Sequence, residues 1–267
     1  MIILIIHLDI QLHKPMYFFL RNLSMIEMLY TTTITPNTLK NLLEKEKRIS
    51  FLGCFVQMFI FISLGGSECA LLGTMAYDRY VAICHPLLYP TIMNQSLCLK
   101  MTLMCWTIGF GNSLVHTVLT ATLPFCHKRL INQYFCDVPP LLKISCKDTF
   151  INELVEFLVG GCVIVGSLIL TLLSYTFVIA EVLKIPTASG KKKAFSTCTS
   201  HLIVVCIFFG SVIFTYLRPS SHSFYNYNQV ISLAYGLVTP LLNPIIYSFR
   251  NKDFLRALHA ILANPSP

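Results

Sequence analysis

Apolar residues run through this chain in long blocks, and polar residues collect between the blocks. A membrane-crossing helix takes about 20 predominantly apolar residues at ~1.5 Å rise each. Six blocks reach that length and predict helices over roughly 16–39, 51–76, 101–125, 157–180, 194–217 and 228–249. The block at 157–180 runs 24 residues without a charge, and that at 228–249 runs 22. The opening stretch Met1–Ile6 is apolar too, but it would reach only about 9 Å into a ~30 Å hydrocarbon core. Residues 1–8 therefore read as the end of a helix whose beginning is absent. They do not read as a signal peptide, because no basic leader precedes them and no small-residue cleavage site follows. Strands of a membrane barrel would alternate polar and apolar positions, and these blocks do not. The expected fold is an all-α membrane protein, one domain over 1–267, with 250–267 as a tail.

Composition agrees. Of 267 residues 55% are hydrophobic and 12% charged, against roughly a quarter charged in a soluble domain. Mean hydropathy is +0.67. These values exclude disordered, collagen-like and small disulfide-scaffold proteins. No internal repeat is visible, which argues against an inverted-repeat transporter. Lys and Arg divide almost evenly between the two ends of the blocks, so the positive-inside rule does not orient the chain. Cysteines do. Cys126, Cys136 and Cys146 lie in the loop between the third and fourth long blocks, and disulfides persist on the lumenal or extracellular side. Loop 126–146 is then extracellular, and Lys191, Lys192 and Lys193 are cytoplasmic. Cys54, at the outer end of the helix over 51–76, is within reach of that loop, and four cysteines leave three pairings open. No CxxC or HxxxH spacing supports a zinc site instead. Cys69, Cys105, Cys162 and Cys206 lie within spans and read as small packing residues.

Catalytic constellations are missing from the sequence: it has no HExxH, no GxSxG and no phosphate-cradling glycine loop. Ser200 and His201 are adjacent, so on a helix their side chains point about 100° apart, poor geometry for a nucleophile and its base. The chain is not expected to be an enzyme, to need a cofactor or to bind nucleic acid. Gly65 with Gly66, and Gly160 with Gly161, read as close helix contacts or as a pocket floor. Glu27 and Glu68 stand inside spans, where charge is costly and points to function. Two readings stay open for them: a pair that shares a proton or holds a sodium ion, or two carboxyls each protonated and hydrogen-bonded. Asp78 and Arg79, in MAYDRYVAICHPLLYP (Met75 to Pro90), fall where hydrocarbon gives way to headgroups. An interfacial anchor flanked by tyrosines is one reading, and a cation pinned by a carboxylate as a releasable latch is the other.

At these residues the chain resembles the olfactory receptors of the rhodopsin-like G-protein-coupled receptor class. The matching stretches are PMYFFLRNLS (Pro15 to Ser24), MAYDRYVAICHPLLYPTIM (Met75 to Met93), SYTFVI (Ser174 to Ile179), KAFSTCTSHL (Lys193 to Leu202) and PLLNPIIYSFRN (Pro240 to Asn251). DRY and NPxxY alone would indicate only the receptor class. PMYFFL, the extended MAYDRYVAIC and KAFSTCTSH are signatures of odorant receptors. The resemblance implies a seven-transmembrane-helix bundle, here with a truncated first helix. Family members normally begin with a glycosylated extracellular tail and a first helix bearing a Gly-Asn pair, and this sequence shows neither. The sequons at Asn22 and Asn94 fall toward the cytoplasmic side, so neither is expected to carry sugar.

The resemblance also implies roles. Cys54 with Cys136 would tie the helix over 51–76 to the outer loop, and Cys126 with Cys146 would close a second bridge within that loop. Asp78, Arg79 and Tyr80 would form the latch, with Arg79 released to meet the G protein. Tyr175, His201 and Tyr247 would line the same inner cavity, and Asn243 with Pro244 would let the last helix bend, since proline removes a backbone donor. A ligand pocket would be lined by Phe61, Ile62, Gly65, Gly66, Val159, Val163, Phe209, Val212, Ile213 and Tyr216. Apart from Tyr216 that set is almost wholly apolar, so the expected ligand is a small, volatile, largely apolar odorant bound by shape. Glu27 and Glu68 fall where the family carries acidic residues. The implied partners are a heterotrimeric G protein of the stimulatory olfactory type, which raises cyclic AMP, and the lipid of the plasma membrane. The basic residues Lys191 to Lys193, Arg250, Lys252 and Arg256 would meet anionic headgroups or the G protein, or stay as solvated interfacial charge.

Overall fold

Helix ends in this chain fall where backbone chemistry places them, several residues from where hydropathy would. The computed structural model describes residues 2–43, 49–125, 136–216, 246 and 252–263. Its helices are α1 (Ile2–Leu8), α2 (Pro15–Leu43), α3 (Phe51–Cys84), α4 (Tyr89–Ile92), α5 (Gln95–Ala121), α6 (Val138–Lys143), α7 (Phe150–Val155), α8 (Gly161–Lys184), α9 (Ala188–Tyr216) and α10 (Lys252–Ala263). A π-helical turn, Glu156–Gly160, joins α7 to α8. Among the described residues the one extended pairing is an isolated bridge between Phe125 and Ser145.

Five of the six expected long helices are present, with shifted ends. The helix expected over 51–76 continues to Cys84. Its apolar run stops at Asp78, but nothing breaks the backbone until Pro86, which disfavours helical geometry at His85 before it. The helix expected over 101–125 starts six residues earlier and ends at Ala121. Asn94 caps its start by accepting the Leu97 N–H at 2.9 Å, a standard helix-starting bond, and Pro124 terminates the other end. Helix α9 begins at Ala188, ahead of the expected 194, where Thr187 Oγ1 accepts the Gly190 N–H. The expected 16–39 extends over Pro15–Leu43, and the expected 157–180 over Phe150–Lys184 with its π-turn. The span over 228–249 lies outside the described residues apart from Ile246. Within the tail, α10 is helical.

Among the described residues, Phe51–Cys84 and Phe150–Lys184 are long and apolar enough on their own to cross a membrane, and α9 makes a third if its two segments, bent by 43°, count as one span. Helices α2 and α5, 29 and 27 residues long, reach as far but carry more polar side chains.

Helix α3 is the spine, packing against α5, α8, α2 and α9. Its seam with α5 is built from small residues. Gly66 faces Gly109 so closely that a Cβ on Gly66 would lie 3.0 Å from the Gly109 Cα, and a Cβ on Gly109 would overlap Ser67 and the Ser63 carbonyl. Ser113 Oγ donates to the Phe59 carbonyl across the seam at 2.6 Å. Small residues and hydroxyl bonds let helix backbones approach where lipid supplies no hydrophobic drive. On the far sides of α5 and α8, Leu99, Leu103, Leu114, Ile169, Leu172 and Leu173 stay exposed, the apolar surface a bilayer would cover. Ile2, Ile5 and Ile6 place one buried face of α1 in the central apolar cluster.

Candidate functional site

Three regions lie along α3, one at each end and one at middle depth. At the Cys54 end, Cys54 and Cys136 form a disulfide with Cα atoms 5.3 Å apart, the pairing the resemblance implied. Cys146 is disulfide-bonded as well, while Cys126 lies outside the described residues. Helix α6 lays Val138, Leu141 and Leu142 on Phe55, Met58 and Leu123, forming a second apolar cluster that caps this end.

At the opposite end Asp78 is 1% exposed and holds two donors. Arg79 Nη2 donates to its Oδ2 at 2.9 Å, and the Tyr89 hydroxyl donates to Oδ1 at 2.7 Å. Tyr89 reaches Asp78 because Pro86 turns the chain and α4 folds back under α3. Burial first, and then the Asp78 carboxylate, push the Tyr89 phenol above its usual range, so it stays protonated and donating. Beside this cluster Tyr175 of α8 and His201 of α9 share a 2.7 Å hydrogen bond between Oη and Nδ1, with rings stacked 5.6 Å apart. Tyr175 packs in one apolar cluster with Ala76 and Tyr80 of α3, on either side of Asp78 and Arg79. Tyr80 turns away from Asp78: its hydroxyl meets His85 Nε2 at 3.1 Å, and its ring sits near Phe177. Asp78, Arg79, Tyr175 and His201 are thus brought together. Asn243, Pro244 and Tyr247 lie outside the described residues.

At middle depth, Phe61, Phe209 and Val212 belong to one contiguous apolar cluster, with Ile62 and Val163 packed against it. Phe61 also meets Tyr30 of α2 edge-on, ring centres 5.1 Å apart. Gly65 is buried on α3, and Val159 sits half-buried on the π-turn. Gly66 instead stands in the α3–α5 seam described above. Ile213 is 37% exposed and is not part of the cluster. Tyr216 ends α9, and its side chain is outside the described part. Glu27 and Glu68 are both buried, on neighbouring helices. Among the described residues no group of three or more His, Cys, Asp and Glu gathers in one place.

Two residues of these regions escape a reading of the sequence. Tyr89 lies in a motif but has no helical register with Asp78, and only the proline-directed turn hints at its return. Gln57, buried near the Cys54 end, carries no motif at all.

Comparison with known proteins adds an independent finding. A family model described as olfactory receptor matches residues 1–265. The chain is similar to human olfactory receptor 5F1, 47% identical over 261 residues covering 98% of this chain and 83% of that protein. It is similar to human olfactory receptor 5A1, 48% identical over 98% of this chain and 83% of that one. Mouse olfactory receptor 5AP2 is 46% identical over 97% of this chain and 82% of its own length.

Proposed function

The chain belongs to the olfactory receptor family, and from that premise we propose that it binds small, largely apolar volatiles between its helices and activates a stimulatory olfactory G protein, raising cyclic AMP. Members of this family are multi-pass plasma-membrane receptors with seven transmembrane helices. They signal through G proteins in response to odorants and catalyse no reaction on them.

The buried Asp78 cluster is the observation that carries the proposal. The Arg79 guanidinium is pinned here by a neighbouring carboxylate, which a tyrosine from α4 holds in turn, and in this reading activation releases it. Tyr175 and His201 join α8 to α9 beside it, so a shift of either helix changes the surroundings of Arg79. In this reading the Asp78 end faces the cytoplasm and the Cys54–Cys136 end the outside, as lumenal disulfides require. A ligand that fits the Phe61, Ile62, Val163, Phe209 and Val212 cluster better when Arg79 is released raises the fraction of that state by its difference in affinity. Gly65, Val159 and Tyr216 complete the pocket, with Tyr216 as the hydrogen-bond donor. Glu27 and Glu68, buried on neighbouring helices, share a proton or a sodium ion in the pinned state, since buried carboxylates brought close do not both stay ionised unaided.

The test is a panel of apolar volatiles on cells carrying the receptor, the stimulatory olfactory G protein and a cyclic AMP reporter. A dose-dependent rise for some volatiles is expected. Receptor at the surface that answers through calcium release alone would refute the stimulatory assignment.

A further inference from the structure

Gln57 is a buried amide in the second turn of α3, one turn beyond Cys54, and each part of it is used. Its Nε2 donates to the Thr33 carbonyl of α2 at 3.0 Å. Its Oε1 accepts twice, from Asn37 Nδ2 of α2 at 3.3 Å and from the backbone N–H of Cys136 at 3.1 Å. One side chain therefore joins α2, α3 and the loop that caps the bundle. The place is chemically apt. Pro36 lies inside α2, and a proline removes one donor from the helix ladder and strains the turn before it. The donor missing at Pro36 is the one that would serve Thr32, and in the same turn Gln57 adds a bond to the Thr33 carbonyl, as neighbouring helices do near such breaks. On the loop side Cys136 is 1% exposed, so its N–H has no water to turn to and depends on the amide oxygen.

The Cys54–Cys136 disulfide limits how far the loop can travel but leaves the direction of the Cys136 backbone to rotation about its bonds. Gln57 fixes that direction. Residue 136 leads directly into α6, whose Val138, Leu141 and Leu142 close the apolar cap over Phe55 and Met58. The orientation of α6 over the end of the bundle thus depends on a hydrogen bond whose other arm grips α2.

We propose that Gln57 is a positioning residue for ligand recognition: through the Cys136 N–H and the Thr33 carbonyl it sets the loop cap against α2 and α3, and so the closure of the outer mouth of the odorant pocket. This rests on the odorant-receptor reading for the pocket, though not for the contact itself. A movement of α2 against α3 pulls on the cap, and a displaced cap pulls on α2.

The experiment compares Gln57→Glu and Gln57→Asn with the unaltered receptor, purified in lipid nanodiscs without odorant, by hydrogen exchange at the peptide containing Cys136. Glutamate, held protonated by burial, keeps an acceptor at the same reach and donates its O–H to the Thr33 carbonyl in place of Nε2, whereas asparagine is one methylene too short for the Cys136 N–H. The expected result is near-normal protection in Gln57→Glu and exchange roughly 10-fold faster or more in Gln57→Asn, since opening of a lost hydrogen bond exposes the amide. Normal protection in both variants, or loss in both, overturns the assignment of Gln57 Oε1 as the acceptor that holds the cap. In cells, Gln57→Asn should shift the odorant response to several-fold higher concentration at equal surface level, and Gln57→Glu should restore it. A shift in both or in neither refutes the link to recognition. An unaltered receptor that answers no volatile, with the exchange result intact, would count against the odorant reading and leave the contact standing.

Discussion

Replacing Tyr89 with phenylalanine removes one oxygen and keeps the ring that packs in α4. The lost contact is the 2.7 Å bond that the phenol donates to Asp78 Oδ1. Hydrogen bonds to charged groups contribute about 1.5–3 kcal/mol, more when the partner is left buried without a replacement. Asp78 is 1% exposed, so water does not readily take the place of the phenol, though Arg79 still covers Oδ2. Taking the low end, about 1.5 kcal/mol is a tenfold change in the balance between pinned and released states. If the released state is populated at a few per cent without ligand, Tyr89→Phe should raise basal cyclic AMP by several-fold to about tenfold. The same change should lower the odorant concentration for half response. The assay is a live-cell cyclic AMP reporter, normalised to surface receptor measured by an N-terminal tag. Basal signal at or below that of the unaltered receptor, at equal surface level, would refute the view that the phenol belongs to the pinned state.

Gly109→Ala should cost about 1–3 kcal/mol through overpacking against Ser63 and Ser67, seen as a lower melting temperature in detergent. Gly111→Ala, with nothing within 4 Å of the added methyl, should hold or slightly raise that temperature because alanine favours helix; equal losses in both would contradict the seam. Cys54→Ser or Cys136→Ser should cost about 2–5 kcal/mol and sharply reduce surface receptor, and normal surface levels in both would contradict a structural bridge. Glu27→Gln and Glu68→Gln should each abolish any sodium dependence of signalling, and dependence unchanged in both would remove the shared ionic site.

The long helices could be read from the sequence because lipid demands continuous apolar runs, and α2, α3, α5, α8 and α9 lie where those runs predict. Their ends could not, since hydropathy tracks the bilayer while the backbone obeys Asn94, Thr187, Pro86 and Pro124. At the Asp78 end, Asp78, Arg79, Tyr175 and His201 all stand in family motifs. Tyr80 carries the same motif, yet its hydroxyl goes to His85, because adjacent helical positions point in different directions. Gly66 and Ile213 share sequence neighbourhoods with residues of the apolar cluster but differ from them by a fraction of a helical turn. That fraction puts one in the α3–α5 seam and the other on the outer face. Gln57 was unreadable for another reason. Its partners lie 20, 24 and 79 positions away, and a single amide in an apolar run carries no periodic signal.

In the proposed mechanism a ligand held by the apolar cluster releases Arg79 to a G protein at the far end of α3. The most direct test is nucleotide exchange on a purified stimulatory olfactory G protein by the receptor in nanodiscs, with and without an active volatile, for the unaltered chain and Arg79→Ala. Ligand-accelerated exchange is expected for the unaltered chain, and none above background for Arg79→Ala with ligand still bound. Undiminished exchange by Arg79→Ala, or a bound volatile that leaves exchange by the unaltered chain unchanged, would contradict this mechanism.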